Sequence, residues 1–244
     1  MTPKEPHPIG LGLTLFYSVM VIIFYALIQS AVLQHFINEQ SSDIKDFNAL
    51  AESLSTDATV LSIGISLAAS SAILFLVLLI RFRKVDVKQH LALQPFIFRD
   101  LINGFIVLLG FTLLLTFVAW LISHETPDFM NSVWASRDNM LLLFFAIVIA
   151  APVFEECLFR GFIFSGVQNS HLGTAAAIVI SAACWTMIHT QYGAFELVTI
   201  FILGILFAVS RIASGSLYVP IILHASNNLF ALLEMALITE NVAQ

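Results

Sequence analysis

Glu155, Glu156 and Arg160 fall inside an otherwise apolar run that starts near Met140. Charged side chains at the middle of a bilayer cost about 2.5–3.5 kcal/mol each even on the lenient insertion scale. A chain that places three of them together accepts a large penalty at one site. Glu156 and Arg160 are i,i+4 neighbours, placed for an ion pair. Glu155 lies about 100° around the helix from Glu156 and has no local cation. A carboxylate so placed can take a proton from water and hand it on, as a general base or acid must. Farther along stand His189 and then His224-Ala225-Ser226-Asn227-Asn228. His224 and Asn228 are again i,i+4 and project from one helix face. An imidazole and a carboxamide can each donate a hydrogen bond to a developing oxyanion.

These residues need a scaffold, and the composition says which kind. Of 244 residues, 59% are hydrophobic and only 11% charged, with a mean hydropathy of +0.94. Soluble domains carry about a quarter charged residues. A soluble enzyme and a disordered chain are excluded, and a net charge of -6 argues against nucleic-acid binding. The expected class is all-α and polytopic, with about seven membrane helices.

Residues 8–34, 58–80 and 101–123 hold no charged residue or histidine, and each stretch is long enough to cross a ~30 Å core. Breaks at 168–173, 190–193 and 213–216 divide the remainder into helices near 139–167, 172–190, 195–212 and 217–238. Segments 38–56 and 85–99 read as surface helices. The division expected is three spans with amphipathic connections over 1–138 and a four-helix catalytic core over 139–244, within one membrane domain.

Lys/Arg bias sets orientation. Arg81, Arg83, Lys84, Lys88 and Arg99 share one loop, whereas the flanking loops hold only Lys45 and Arg137 among many acids. The basic loop is expected in the cytoplasm, with the N-terminus inside. Short loops favour a bacterial inner membrane.

Depth arithmetic pairs Glu155 with His189. Each is 17 residues from a turn centred near Leu172, so antiparallel helices bring both to a level roughly 25 Å from it. His224 and Asn228 come out shallower, at ~14–20 Å from the turn near Gly215. A tilted helix or a start delayed by Pro220 would close that gap.

Glu155 to Arg160 fits the EExxxR motif of the CPBP (CAAX protease and bacteriocin-processing, or Abi) intramembrane proteases. Trp185 to His189 resembles that family's FxxxH, and His224 to Asn228 its HxxxN. The resemblance covers about 139–238. It implies an endopeptidase in which Glu155 and His189 activate a water while His224 and Asn228 stabilise the oxyanion. Glu156 and Arg160 would hold the site together. Trp185 stands where the family usually has Phe, which bears on pocket shape.

The chain has no HExxH, and the four polar site residues would make an unusual zinc shell. No tightly bound cofactor is favoured; a divalent metal such as zinc, if present, would sit on Glu155, His189 and His224. The expected partners are the lipid bilayer and a peptide or protein substrate, such as a lipidated C-terminus or a bacteriocin-like precursor. The competing readings are a proton-coupled transporter and a non-catalytic scaffold or immunity protein. Glu196, Arg211 and Glu234 read as interfacial charges, Cys157 and Cys184 as packing residues, and His124 has no assigned role.

Overall fold

The computed structural model describes residues 9–40 and 46–242. Six of the described helices are long and apolar enough to cross a membrane: α1 (Leu11–Gln40), α3 (Ala58–Phe82), α5 (Phe98–Leu121), α7 (Met140–Gln168), α9 (Ala194–Ser214) and α10 (Tyr218–Val242). A seventh apolar helix, α8 (Gly173–Met187), has 15 residues, about 22 Å of rise and short of a ~30 Å core. Short helices α2 (Phe47–Ser55), α4 (Val87–His90) and α6 (Asp128–Ala135) lie in the connections. α2 and α4 fall within the segments 38–56 and 85–99, where helices are expected, with residues 41–45 outside the described part, whereas α6 is not anticipated from the sequence. This is an all-α, multi-pass membrane protein.

Local chemistry sets the helix ends. The Asp46, Asp57, Asp86 and Asn139 side chains each accept from backbone N–H groups of the first turn that follows, meeting donors that have no partner within the helix. Gly215 closes α9 at φ 66°, the left-handed conformation that glycine adopts without a Cβ clash.

Packing is centred on α7. Its Phe159, Phe162 and Phe164 are fully enclosed, whereas α5 leaves Leu113, Phe117 and Trp120 uncovered. In water such a surface would be a liability; against lipid tails it is the expected outer face.

The course of α7 is not uniformly α-helical. Phe145–Ala150 and Glu156–Ile163 are π-helical, with i→i+5 bonds in place of i→i+4. In the first stretch the Ala151 N–H reaches back to the Ala146 carbonyl. The next residue in that register is Pro152, which has no N–H to give. The Ile147 carbonyl is thereby left over, and Asn228 on α10 donates its side-chain N–H to it at 3.0 Å.

Near its cytoplasm-expected end α7 meets α1 at Gly166. A Cβ there would collide with the Thr14 side chain, whose own Cβ is 2.6 Å away. Overpacking of this kind costs about 1–3 kcal/mol. Gly166→Ala should therefore lower the thermal unfolding midpoint in detergent, whereas alanine at Gly110, where nothing lies within 4 Å, should not.

Candidate active site

The lower part of the site is a buried polar cluster on four helices. Glu156 and Arg160 are both 0% exposed, and Arg160 Nη1 donates to Glu156 Oε1 at 2.9 Å. The same carboxylate oxygen accepts from His224 Nδ1 at 2.9 Å. Arg160 Nη2 donates to the Gly204 carbonyl on α9 at 3.3 Å. A Cβ at Gly204 would sit 3.0 Å from the Ala182 Cα, so only glycine lets α8 and α9 approach this closely. The guanidinium lies 4.3 Å from the Trp185 ring centroid and 5.5 Å from that of Phe207, close enough for a cation–π contribution.

Above this cluster lies a cavity of about 380 Å³. Glu155, Trp185, His189, His224 and Asn228 all contribute to its wall. The structure thus brings every residue of the three motifs to one place, with Glu156 and Arg160 beneath the wall and the other five on it. Glu155 is not free of partners: the Trp185 indole N–H donates to its Oε2, and His224 Nε2 lies 3.8 Å from the same oxygen. His224, rather than His189, is the imidazole in near contact with this carboxylate.

The hydrogen bonds also suggest which ring nitrogens carry protons. His189 Nδ1 faces the Trp185 carbonyl at 2.8 Å, and a carbonyl only accepts. Nδ1 must carry the hydrogen, which leaves Nε2 of a neutral ring as a lone-pair acceptor. By the same logic His224 Nδ1–H donates to Glu156. Its Nε2 can then donate only as the imidazolium.

Glu155, His189 and His224, the residues a metal would need, all line this cavity. Among the described residues no three His, Cys, Asp or Glu side chains are grouped to bind a metal ion. The Nδ1 atoms of His224 and His189 are engaged by Glu156 and by the Trp185 carbonyl respectively, which leaves Nε2 of each ring for the cavity.

The motifs name Trp185 but not the contacts it makes, and they omit several other contributors. The Trp185 indole holds Glu155, with its ring 5.2 Å from that of His189 and 5.0 Å from that of His224. Phe207 stacks on His224 at 5.1 Å and 20°. At the mouth, Glu196 pairs with His124, two residues read as having no role in the site. Tyr192, in the α8–α9 connection, lines the cavity as well, and burial followed by the nearby Glu155 charge pushes its phenol up to about 12.

With that geometry in place, comparison with known proteins is informative. Residues 137–230 match the family model described as Type II CAAX prenyl endopeptidase Rce1-like. This is the CPBP/Abi family. The matched segment is less than half of the chain and contains all three motifs. An uncharacterized 24.3 kDa protein of Escherichia coli is 30% identical over 109 residues, covering 43% of this chain and 50% of that protein. The chain therefore aligns with about half the length of this relative. No solved structure matches. The Rce1-like family is one of membrane proteases, which act on peptide or protein substrates.

Breaking a buried ion pair from one side costs about 3–5 kcal/mol, while replacing both partners with apolar residues is often neutral. Glu156→Ala and Arg160→Ala should each cause a large loss of thermal stability in the Rce1-like segment. A Glu156→Leu/Arg160→Met double variant should recover most of it, as read by thermal unfolding in detergent.

Proposed function

We propose that this protein is a membrane-embedded endopeptidase whose nucleophile is a water activated by Glu155 and His189. The supporting observation is one cavity, deep among the helices, walled by an acid, two imidazoles and a carboxamide. The Rce1-like match over the same helices favours peptide-bond hydrolysis over proton-coupled transport or a scaffold role. Residues 139–244 act as the catalytic core, and the spans before them support it.

In the proposed reaction, the water bridges Glu155 and the Nε2 lone pair of His189. Glu155 takes one proton as the water oxygen bonds to the scissile carbonyl carbon. The carbonyl oxygen becomes an oxyanion, which His224 Nε2–H and the second N–H of the Asn228 amide stabilise. Collapse breaks the C–N bond, and the proton held by Glu155 passes to the leaving amine. This route uses His224 with a hydrogen on each ring nitrogen, Nδ1–H toward Glu156 and Nε2–H toward the oxyanion. No step passes through a metal ion.

The test is mass spectrometry of a peptide mixture incubated with detergent-solubilised protein. General acid–base catalysis contributes about 10²–10⁴-fold, so Glu155→Gln should lose at least that much rate while keeping the wild-type unfolding midpoint. Loss of one oxyanion donor costs about 10²–10³ in kcat, the expected range for Asn228→Ala. Normal cleavage by Glu155→Gln would overturn the mechanism. Wild-type cleavage should persist in a divalent-metal chelator, and its abolition would show that a metal is required.

A further inference from the structure

The cavity is open toward one side of the molecule only in the sense that its wall climbs in one direction, and the chain order says which. From Glu155 and His224 the wall continues to Leu61 near the start of α3, Trp134 of α6, and Gln191 and Glu196 around the start of α9. These positions share one end of the helix bundle. Ser136, just after α6, accepts from the Ala58 N–H at 2.9 Å and so ties that end together. The opposite end is built separately. There Ser165 on α7 donates to the His90 carbonyl at 2.8 Å, and the Leu217 N–H donates to the Ala92 carbonyl at 2.8 Å. The loop that carries Arg81, Arg83, Lys84, Lys88 and Arg99 is thus clasped to the base of α7 and α10, far from the mouth.

Short loops rich in Lys and Arg stay in the cytoplasm. The end with the mouth has Arg137 and, from the sequence, Lys45, against Asp46, Glu52, Asp57, Glu125, Asp128, Asp138 and Glu196. The short α8 adds to this asymmetry. Measured from Gly173 at the basic end, its 15 residues rise only about 22 Å, and His189 follows just beyond its last residue. The chain turns back there, and the connection 188–193 lies at the rim of the cavity rather than above a full-length span.

We infer that the cavity opens to the extracytoplasmic side, and that its substrate is an extended peptide segment of an exported or membrane-tethered polypeptide presented from there. This rests on the peptidase reading and deepens it by naming the substrate's side. A C-terminus lipidated in the cytoplasm would have to cross the membrane to reach this mouth. An extracytoplasmic segment would pass Gln191 and Tyr192 and reach Glu155 without crossing.

The experiment is thiol labelling of the full-length chain in intact cells, with Cys157 and Cys184 replaced by alanine. A membrane-impermeant maleimide should label Gln191→Cys, an exposed position on the cavity wall, without permeabilisation. Lys88→Cys, exposed on the basic loop, should be labelled only after lysis. If Gln191→Cys does not fold, Asn131→Cys on α6, also exposed, serves at the same end. Labelling of Lys88→Cys in intact cells, or of the mouth position only after lysis, overturns the inference. Cleavage by the solubilised protein is scored separately, so a failed peptidase reading and a reversed orientation give different results.

Discussion

A single carboxylate oxygen, Glu156 Oε1, joins the helices that make the site. It accepts from Arg160 on its own helix and from His224 on α10, while the same arginine reaches the Gly204 carbonyl on α9 and lies over Trp185 of α8. Both charges are fully removed from solvent, so separation of the helices would leave ions stranded in an apolar interior. That penalty makes the arrangement cooperative: α8, α9 and α10 are held to α7 through one ion pair. The cost of burying the pair is large, and what it secures is the orientation of His224 rather than stability alone.

The second constraint is backbone hydrogen bonding. A π-helical turn widens the helix and redirects carbonyls that an α-helix would satisfy internally. In α7 the redirected register meets Pro152, and the unpaired Ile147 carbonyl is satisfied from α10 by Asn228. The HxxxN residue thus couples the two helices, leaving its other amide hydrogen available at the cavity. One side chain combines a structural task with the catalytic one proposed for it.

Much of this was legible in the residues. The apolar stretches fixed the helices to within a few positions, because lipid leaves little latitude for where charges fall. The i,i+4 spacing of Glu156 and Arg160 correctly implied their pairing. The depth reckoning put Glu155 and His189 at one level, and both side chains contribute to the same cavity. The same reckoning left His224 too shallow, since it assumed a uniform rise of 1.5 Å per residue. The π-helical runs in α7 depart from that regular rise, and His224 Nε2 in fact lies 3.8 Å from Glu155. No local pattern reveals that Trp185 donates to Glu155 or that His124 meets Glu196, because these contacts join residues 30 and 72 positions apart. Read from sequence, Trp185 is the FxxxH aromatic that bears on pocket shape; its indole N–H becomes meaningful once the Glu155 carboxylate stands opposite it.

The position of Trp185 also has a practical consequence. The chain has three tryptophans, of which Trp120 is 71% exposed on the outer face and Trp134 is covered by the Arg137 guanidinium at 4.0 Å. Trp185 alone touches an acid, a guanidinium and two imidazoles. With phenylalanine at the other two positions, its ultraviolet emission would come from the centre of the site. Indole fluorescence is quenched by neighbouring imidazolium and responds to hydration, so occupancy of the cavity becomes visible as light without any attached dye.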